Sequence, residues 1–480
     1  MVTRLVRGVI PAILLAVTLV VVALRQLRQP INLDTFFHLR IGQEFLHGWT
    51  PWDPGSLTPY ATRSWLPTQW LSQIVLAWAE DVGGLRGVLW LAAAVSVVYV
   101  AVLVRACLQE APLLVAAPLA AVTLLASLTA LSARPQIVSY LLAVVTLAAW
   151  LRTARDGRLR WWLVPLTWLW VLLHGMWPVG IATSLVAAAG LTLDAPPAQR
   201  RIRARAFGVG LGSALVAGLT PVGPGAYGAV LLVGSRANYF SEWAPPDFTR
   251  FPALALAGLL LLTLAVRVRS GRDTWTADLL LLTAVGWALY SNRTTPIATA
   301  MLAVLLARLL GRLRTATGTD ADAGTAGAEG AGSPRARRML LGGAAATILA
   351  AAGFAAVMPD PHPVEPDWLA PTAAALPDGT PILTRIEFGS YLVWAYPRLD
   401  AAFNGYADAY TTDELDDIFT LQDVGDGWEA IVRRDRFDYA LLPDDDALAY
   451  NLRLAGWRVL HHSQDVEFLV RPGAPDPAAS

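Results

Sequence analysis

The stretch NLDTFFHLRIG, residues 32–42, places one carboxylate, two aromatic rings and a histidine close together in the chain. It begins a few residues after an uninterrupted apolar segment, residues 8–24, which is long enough to form a spanning helix. Asp34 therefore brings ionisable chemistry to the boundary between water and lipid, where such groups are costly and usually kept for a function. An enzyme that acts on a lipid-carried substrate needs its reactive groups at this boundary.

The composition of the chain predicts a polytopic membrane protein. Its 480 residues are 55% hydrophobic and 15% charged, and such a sequence cannot expose its apolar segments to water. The formal net charge is zero, so the overall charge predicts no nucleic-acid partner. Cys107 is the only cysteine, which excludes an intrachain disulfide. No small-residue cleavage site follows the first apolar segment before Arg25, which predicts a retained span.

The apolar segments predict about eleven transmembrane helices, counted from the length that crosses a bilayer. Residues 161–193 are too long for one span, and we predict that they cross twice, turning near His174 and Gly175. Only this arrangement puts every arginine cluster on one side, as positive charge in cytoplasmic loops requires. The N-terminus is then cytoplasmic and the C-terminal tail outside. The other predicted spans are 8–24, 85–104, 112–131, 135–150, 206–219, 252–266, 276–290, 296–310 and 339–357.

The predicted topology collects polar residues on the outer face. Asp34, Arg134, His174, Glu242 and Arg293 all interrupt helix ends on that side. Because ionisable groups near a bilayer are expensive, their convergence indicates a single site. The alternative is that the ends of loops are polar in any membrane protein.

The composition also divides the chain into regions. Residues 1–314 form a transmembrane domain whose first outer loop is 25–84, and residues 34–46 and 65–78 of this loop have the amphipathic spacing of interfacial helices. A disordered cytoplasmic linker at 315–338 and a last transmembrane helix at 339–357 follow. Residues 358–480 alternate between strand-like and helix-like pieces, which predicts an extracytoplasmic α/β domain. We place strands at 380–385, 401–405, 439–442, 457–461 and 467–470, and helices at 388–396, 412–421, 428–434 and 446–455.

Several short motifs occur in an order that runs along nearly the whole chain. Besides residues 32–42 they are WDPGS (52–56), WLPTQWL (65–71), ARPQ (133–136), HG (174–175), SEWAPPDF (241–248), NR (292–293), GSYL (389–392) and NGYAD (404–408). This order resembles bacterial members of the GT-C glycosyltransferase superfamily, which includes protein O-mannosyltransferases, lipid A aminoarabinose transferases and the oligosaccharyltransferase catalytic subunit. The resemblance implies a GT-C-like fold of membrane helices with a C-terminal extracytoplasmic domain.

The resemblance also implies an activity, the transfer of a sugar from a polyprenyl-phosphate carrier to an acceptor of unknown identity at the outer membrane face. Asp34 would then be the general base that takes a proton from an acceptor hydroxyl. Arg134 and Arg293, with Arg40 behind them, would bind the donor phosphate. The remaining candidates, His38, His174 and Glu242, would orient the base, bind acceptor or hold a metal.

No cofactor is implied with certainty. Members of the superfamily that bind a divalent cation use paired carboxylates as hard oxygen ligands. Asn32 replaces the first acid of that pair here, so the question of a divalent cation stays open.

Each candidate residue also has a structural interpretation. Asp34 could cap its helix, Arg134 could extend from a helix end towards water, and His174 could satisfy a turn. Glu242, like Asp247, could shape the loop around Pro245 and Pro246 without contacting a substrate. Two other functions compete with transfer. One is a catalytically inactive GT-C-like membrane scaffold in cell-envelope glycan assembly. The other is a transporter, which the lack of internal repeats disfavours.

Overall fold

The computed structural model describes residues 9–316, 334–361, 365–463 and 465–477, which form two compact units. Unit 1 consists of Met1–Gln29 and Arg86–Pro359, and unit 2 of Pro30–Leu85 and Asp360–Ser480. The first loop and the C-terminal region therefore belong to the same unit. Residues 317–333 of the predicted linker lie outside the described residues.

Unit 1 is a bundle of helices whose sequences are dominated by Leu, Ala and Val. The Thr295–Ala316 helix lies at its centre, since every residue from Thr295 to Ala307 is buried. Apart from Thr295 and Thr299, this stretch is apolar on all sides, as a helix that is buried all round requires. The helices of the unit are Ile10–Arg28, the second part of Trp70–Leu108, Leu113–Ser127, Gln136–Asp156, Leu163–Leu173, Pro178–Asp194, Arg200–Arg203, Phe207–Ala217, Gly225–Ser235, Phe251–Arg269, Trp275–Tyr290, Thr295–Ala316 and Pro334–Val357.

Among the described residues, seven helices are long and apolar enough to cross a membrane. The chain is therefore a multi-pass membrane protein, as predicted. The predicted turn near His174 is present, because one helix ends at Leu173 and the next begins at Pro178. The Gly225–Ser235 helix is absent from the predicted spans. The count of about eleven stays a prediction, since several of the predicted spans form helices too short to be assigned by length alone.

One end of unit 1 is held by ion pairs around two buried carboxylates. Glu110 pairs with Arg155 and, at 3.5 Å, with Arg308. Asp273 pairs with Arg308 at 3.0 Å and with Arg312. These residues lie in or beside four arginine clusters, at 105, 152–160, 267–272 and 312–338, which the predicted topology puts on one side of the membrane. Their helix ends thus meet at one end of the bundle.

The Trp70–Leu108 helix is interrupted at Gly84, where the chain passes from unit 2 to unit 1. Gly84 has φ +63° and ψ −161°, a conformation that is strained for any residue with a side chain. The interruption explains why the helix is 39 residues long, well beyond a single span. Its first part, from Trp70, belongs to unit 2.

Unit 2 is an α/β unit built on a five-stranded mixed sheet. The strands are β1 (Pro381–Thr384), β2 (Asp400–Ala401), β3 (Tyr439–Pro443), β4 (Arg458–Ser463) and β5 (Val466–Val470). They lie in the order β2-β1-β3-β5-β4, with β1 parallel to β2 and β3, and β5 antiparallel to β3 and β4. All five predicted strands are present. Only β2 is much shorter than predicted.

Most helices of unit 2 match the predicted ranges. The helix predicted over residues 65–78 begins only at Trp70 and continues past residue 78. The helix predicted over residues 34–46 is Asp34–His47, and its apolar face is buried within the unit, with Phe36, Leu39 and Ile41 fully covered. The C-terminal region contributes Leu369–Ala375, which was not predicted, together with Ile386–Ala395, Thr412–Gln422, Trp428–Arg434 and Ala447–Leu454.

Hydrogen bonds join the first loop to the C-terminal region within unit 2. The Thr58 hydroxyl donates to the Ala401 carbonyl at 2.7 Å, and the Arg63 amide donates to the Ala409 carbonyl at 3.1 Å. The Thr62 hydroxyl donates to Glu414, whose carboxylate also closes the capping box of the Thr412–Gln422 helix. Because backbone and capping groups are the partners, the two segments satisfy each other's polar groups and fold as one unit.

Candidate functional site

The structure brings three of the predicted site residues of unit 1 into contact. Glu242 accepts a hydrogen bond from Arg134 Nη1 at 3.0 Å on one carboxylate oxygen, and from Arg293 Nη1 at 3.3 Å on the other. Two guanidiniums thus contact the same carboxylate, one on each of its oxygens. We call Arg134, Glu242 and Arg293 the arginine pair site.

Short turns between helices position the arginine pair site. Glu242 lies in a 3₁₀ turn, Ser241–Trp243, and Arg293 in another, Asn292–Thr294. The Asn292 amide donates to the Ala244 carbonyl at 2.8 Å, which joins the two turns. The Trp243 ring lies 5.1 Å from the Arg293 guanidinium carbon, in the geometry of a cation–π contact. Both arginine side chains are therefore held in defined directions.

The charges of the site favour an ionised Glu242. Burial raises the pKa of its carboxyl, but the nearby charges of Arg134 and Arg293 and the hydrogen bond from Arg134 outweigh this effect. The pKa of Glu242 consequently lies below its ordinary value. The side chain of Glu242 is 43% exposed, so the cluster is open to solvent and to ligands.

His174 is buried behind a hydrogen-bonded serine in unit 1. Its Nδ1 lies 2.8 Å from the Ser139 hydroxyl, which accepts a bond from Trp170 Nε1 at 2.7 Å. The Ser139 hydroxyl has one proton and two lone pairs, so while it accepts from Trp170 it can either donate to His174 Nδ1 or accept from it. This contact joins the end of the Leu163–Leu173 helix to the Gln136–Asp156 helix. The role of His174 stays a prediction.

Asp34 lies in unit 2, at the first turn of the buried Asp34–His47 helix. Its amide donates to Asn32 Oδ1 at 2.9 Å, so Asn32 supplies the oxygen that closes the start of the helix. An amide oxygen does this as well as a carboxylate. Asn32, in the position of the missing acid, thus has a role in helix capping, and the carboxylate of Asp34 is not needed for it.

The NGYAD motif packs directly against Asp34. A methyl carbon placed on Gly405 would lie 2.8 Å from Asp34 Oδ1 and 2.8 Å from the Phe37 ring. The Gly405 amide is itself fixed by a 2.9 Å hydrogen bond to the Ser390 hydroxyl of the GSYL motif. Two motifs of the C-terminal region therefore define one wall around the Asp34 carboxylate.

The other two predicted residues of unit 2 serve local contacts. His38 is buried, and its Nδ1 lies 3.1 Å from Gln73 Nε2. Arg40 pairs with Glu44 one turn along the helix. Within the described parts of the chain, no group of three or more His, Cys, Asp or Glu residues could hold a metal ion.

Sequence reasoning missed the contacts made by Ser139, Trp243 and Gly405. Trp243 and Gly405 lie inside the recognised motifs SEWAPPDF and NGYAD. Their position in these motifs was the sequence signal that could have identified them. Ser139 lies in an apolar helix without any pattern that marks it.

Comparison with solved structures finds a similar fold in an archaeal oligosaccharyltransferase and in ArnT. AglB, the oligosaccharyltransferase of Archaeoglobus fulgidus, in complex with an inhibitory peptide and a dolichol-phosphate, has a TM-score of 0.50 at 14% identity, over 90% of this chain and 69% of that chain. ArnT of Cupriavidus metallidurans in the apo state has a TM-score of 0.51 at 14% identity, over 95% of this chain and 97% of that one. The sequence matches no family model and no curated protein. The predicted GT-C-like fold is confirmed.

Glu242→Gln tests the arginine pair site. We expect the variant to be less stable by about 1 kcal/mol, because losing the charged partner of two hydrogen bonds costs roughly 1–3 kcal/mol and solvent exposure reduces this cost. The folded pKa of Glu242 is lowered, so its stabilisation is present above the ordinary value and is lost as pH falls through the folded value. Thermal unfolding between neutral and acidic pH measures both effects.

Glu429→Gln is the matched control for this prediction, since Glu429 makes one exposed ion pair with Arg433. It should change the melting temperature little. Equal melting temperatures for Glu242→Gln and the unmodified protein would contradict the assigned contacts.

Proposed function

We propose that this protein is a membrane glycosyltransferase that moves a sugar from a polyprenyl-phosphate carrier to an acceptor at the outer face of the membrane. Asp34 acts as the general base, and Arg134 and Arg293 bind the phosphate of the donor. The observation that carries the proposal is the arginine pair site, in which two guanidiniums share one carboxylate. Two neighbouring guanidiniums suit an anionic lipid phosphate, because each can donate two parallel hydrogen bonds to phosphate oxygens.

The proposed reaction is a substitution at the anomeric carbon of the donor sugar. The acceptor hydroxyl attacks this carbon and forms the new glycosidic bond, while the bond from the sugar to the phosphate oxygen breaks. Asp34 takes the proton of the hydroxyl. Arg134 and Arg293 stabilise the negative charge that grows on the departing phosphate.

The comparisons support the substrate class. The AglB structure contains a dolichol-phosphate, and another structure of the same enzyme, with a TM-score of 0.51, is tethered with an acceptor peptide. By analogy, the present chain uses a lipid-linked donor. At 14% identity the likeness supports the fold and not the roles of individual residues.

The alternative is an inactive scaffold in cell-envelope glycan assembly. Replacement of the first acid by Asn32 favours it, because a divalent cation would lose one ligand there. The two readings differ in whether the purified protein consumes a lipid-linked sugar.

Asp34→Asn is the direct test of the general base. In nanodiscs supplied with a panel of polyprenyl-phosphate sugars and acceptors, we expect turnover to fall about 10²–10⁴-fold, the usual contribution of general base catalysis. Arg134→Lys and Arg293→Lys should raise the KM for the donor and also lower turnover, because lysine cannot bind a phosphate with two parallel hydrogen bonds and stabilises the departing phosphate less well. Release of polyprenyl phosphate is the readout.

Two controls accompany these variants. Asp367→Asn changes an exposed acid of unit 2, and Arg250→Lys changes an arginine whose side chain is 81% exposed. Both should retain full turnover. Unchanged turnover in Asp34→Asn would refute the base assignment, and an unmodified protein that is inert towards the whole panel would favour the scaffold.

Gly405→Ala tests whether the NGYAD wall positions Asp34. The added methyl group would collide with the Asp34 carboxylate, and small displacements of catalytic groups can cost up to about 100-fold in rate. We expect kcat to fall with little change in the KM for the donor. Gly425→Ala is the control, because its nearest neighbour would be at an ordinary 3.5 Å. Full kcat in a stably folded Gly405→Ala protein would contradict the positioning role.

The proposed orientation puts the N-terminus in the cytoplasm and the C-terminal domain outside. Cys107 is buried, so introduced cysteines can report sidedness without removing it. A membrane-impermeant maleimide applied to intact cells should label Ala370→Cys, in the C-terminal region, and should spare Ala198→Cys, beside Arg200 and Arg201. Labelling of both sites in disrupted cells is the control. The reverse pattern in intact cells would overturn the orientation.

A further inference from the structure

Unit 2 contains a cleft of about 560 Å³ that the proposed transfer reaction does not use. This volume lies within the usual range of small-molecule sites, about 300–1,000 Å³. Its wall combines two carboxylates, one amide and three aromatic side chains. The lining residues are Gln43, Glu80, Glu365, Tyr391, Trp394, Ala395 and Tyr396.

Every carboxylate oxygen of the cleft accepts a hydrogen bond from a neutral donor. Glu80 accepts from Trp394 Nε1 at 2.7 Å and from Gln43 Nε2 at 3.0 Å. Glu365 accepts from the hydroxyls of Tyr391 and Tyr396. Burial, and then these bonds to Glu365, raise the pKa of both phenols. Burial raises the pKa of Glu80, and the nearby charge of Asp81 adds to this effect, while the hydrogen bonds from Trp394 and Gln43 oppose it.

The negative charge of the cleft lacks a protein counter-charge. Within the described ranges of the chain, no Arg or His forms an ion pair with Glu80 or Glu365. Asp81, next in the chain to Glu80, adds a further negative charge nearby. Two carboxylates in a partly enclosed site repel each other unless a cation lies between or beside them.

The aromatic lining indicates which kind of cation fits. Tyr391 and Trp394 rest on Phe36, with ring centroids 5.3 and 4.9 Å apart, so their orientation is fixed. Ring faces and carboxylates together bind organic ammonium groups. A metal ion fits poorly, because no described group of three metal-ligating side chains exists.

We propose that this cleft binds a primary alkylammonium group, held between Glu80 and Glu365 and against the ring of Trp394. The group can be carried by an amino sugar or by a lysine side chain, which share this chemistry. The proposal stands independently of glycosyl transfer, because none of its residues takes part in the proposed reaction.

Binding to the full-length protein in nanodiscs tests the proposal. Titration with glucosamine against glucose, and with Nα-acetyl-lysine amide against its Nε-acetylated form, compares each ammonium ligand with a neutral partner, followed by tryptophan fluorescence or calorimetry. We expect at least one ammonium ligand to bind tenfold or more tightly than its neutral partner. The ammonium ligand that binds more tightly shows whether the group is carried by an amino sugar or by a lysine side chain.

Variants of the carboxylates localise the binding. Glu80→Gln and Glu365→Gln should each weaken binding about tenfold or more. Glu387 is an exposed acid of the Ile386–Ala395 helix, which also carries Tyr391 and Trp394, and Glu387→Gln should have no effect. If a cleft variant fails to fold, salt dependence of the unmodified protein replaces it, since affinity must fall with ionic strength. Three results overturn the proposal: equal affinity for a neutral partner, no binding of either ammonium ligand at millimolar concentration, or displacement of the ligand by micromolar calcium.

Discussion

The arrangement of unit 2 depends on the burial of two neighbouring phenylalanines, Phe36 and Phe37, on the Asp34–His47 helix. Phe36 is fully buried against Tyr391 and Trp394, and Phe37 contacts Tyr406 with ring centroids 5.5 Å apart. Burying one such side chain contributes about 1.5–3 kcal/mol. Because both aromatic rings enter the C-terminal region, the helix that carries Asp34 cannot shift without disturbing the NGYAD and GSYL motifs. The surroundings of Asp34 and one wall of the cleft therefore share the same support.

Unit 1 is organised by the opposite constraint, the exclusion of charge from its apolar middle. Its ion pairs gather at helix ends, with Glu110 and Asp273 in one group and Glu242 in another. The first two carboxylates are nearly inaccessible and are surrounded by arginines, which suits a structural role. Glu242 has similar partners but a much more exposed side chain. The greater solvent exposure of Glu242, more than its charge, distinguishes a candidate binding site from an ion pair that only holds helices together.

Local sequence patterns predicted most of the helices and strands. They predicted few of the contacts between distant residues that form the site. Helical spacing located the helix that begins at Asp34. The alternation of strand-like with helix-like pieces in residues 358–480 located all five strands. The β2 strand was overestimated because Asn404 accepts a hydrogen bond from the Tyr406 amide and turns the chain. The Gly225–Ser235 helix was missed because glycines interrupt its apolar pattern. The contact between Asp34 and Gly405 joins residues hundreds of positions apart, and no periodicity encodes it.

The discontinuous construction of unit 2 has a consequence for biosynthesis. Its first segment ends at Leu85, and its second begins at Asp360. A ribosome that adds roughly 5–20 residues each second needs on the order of fifteen seconds or more between these points. During that interval the faces of Phe36, Phe37 and Trp65 have no C-terminal region to cover them. The nascent chain must therefore shield an aromatic surface until translation is nearly finished.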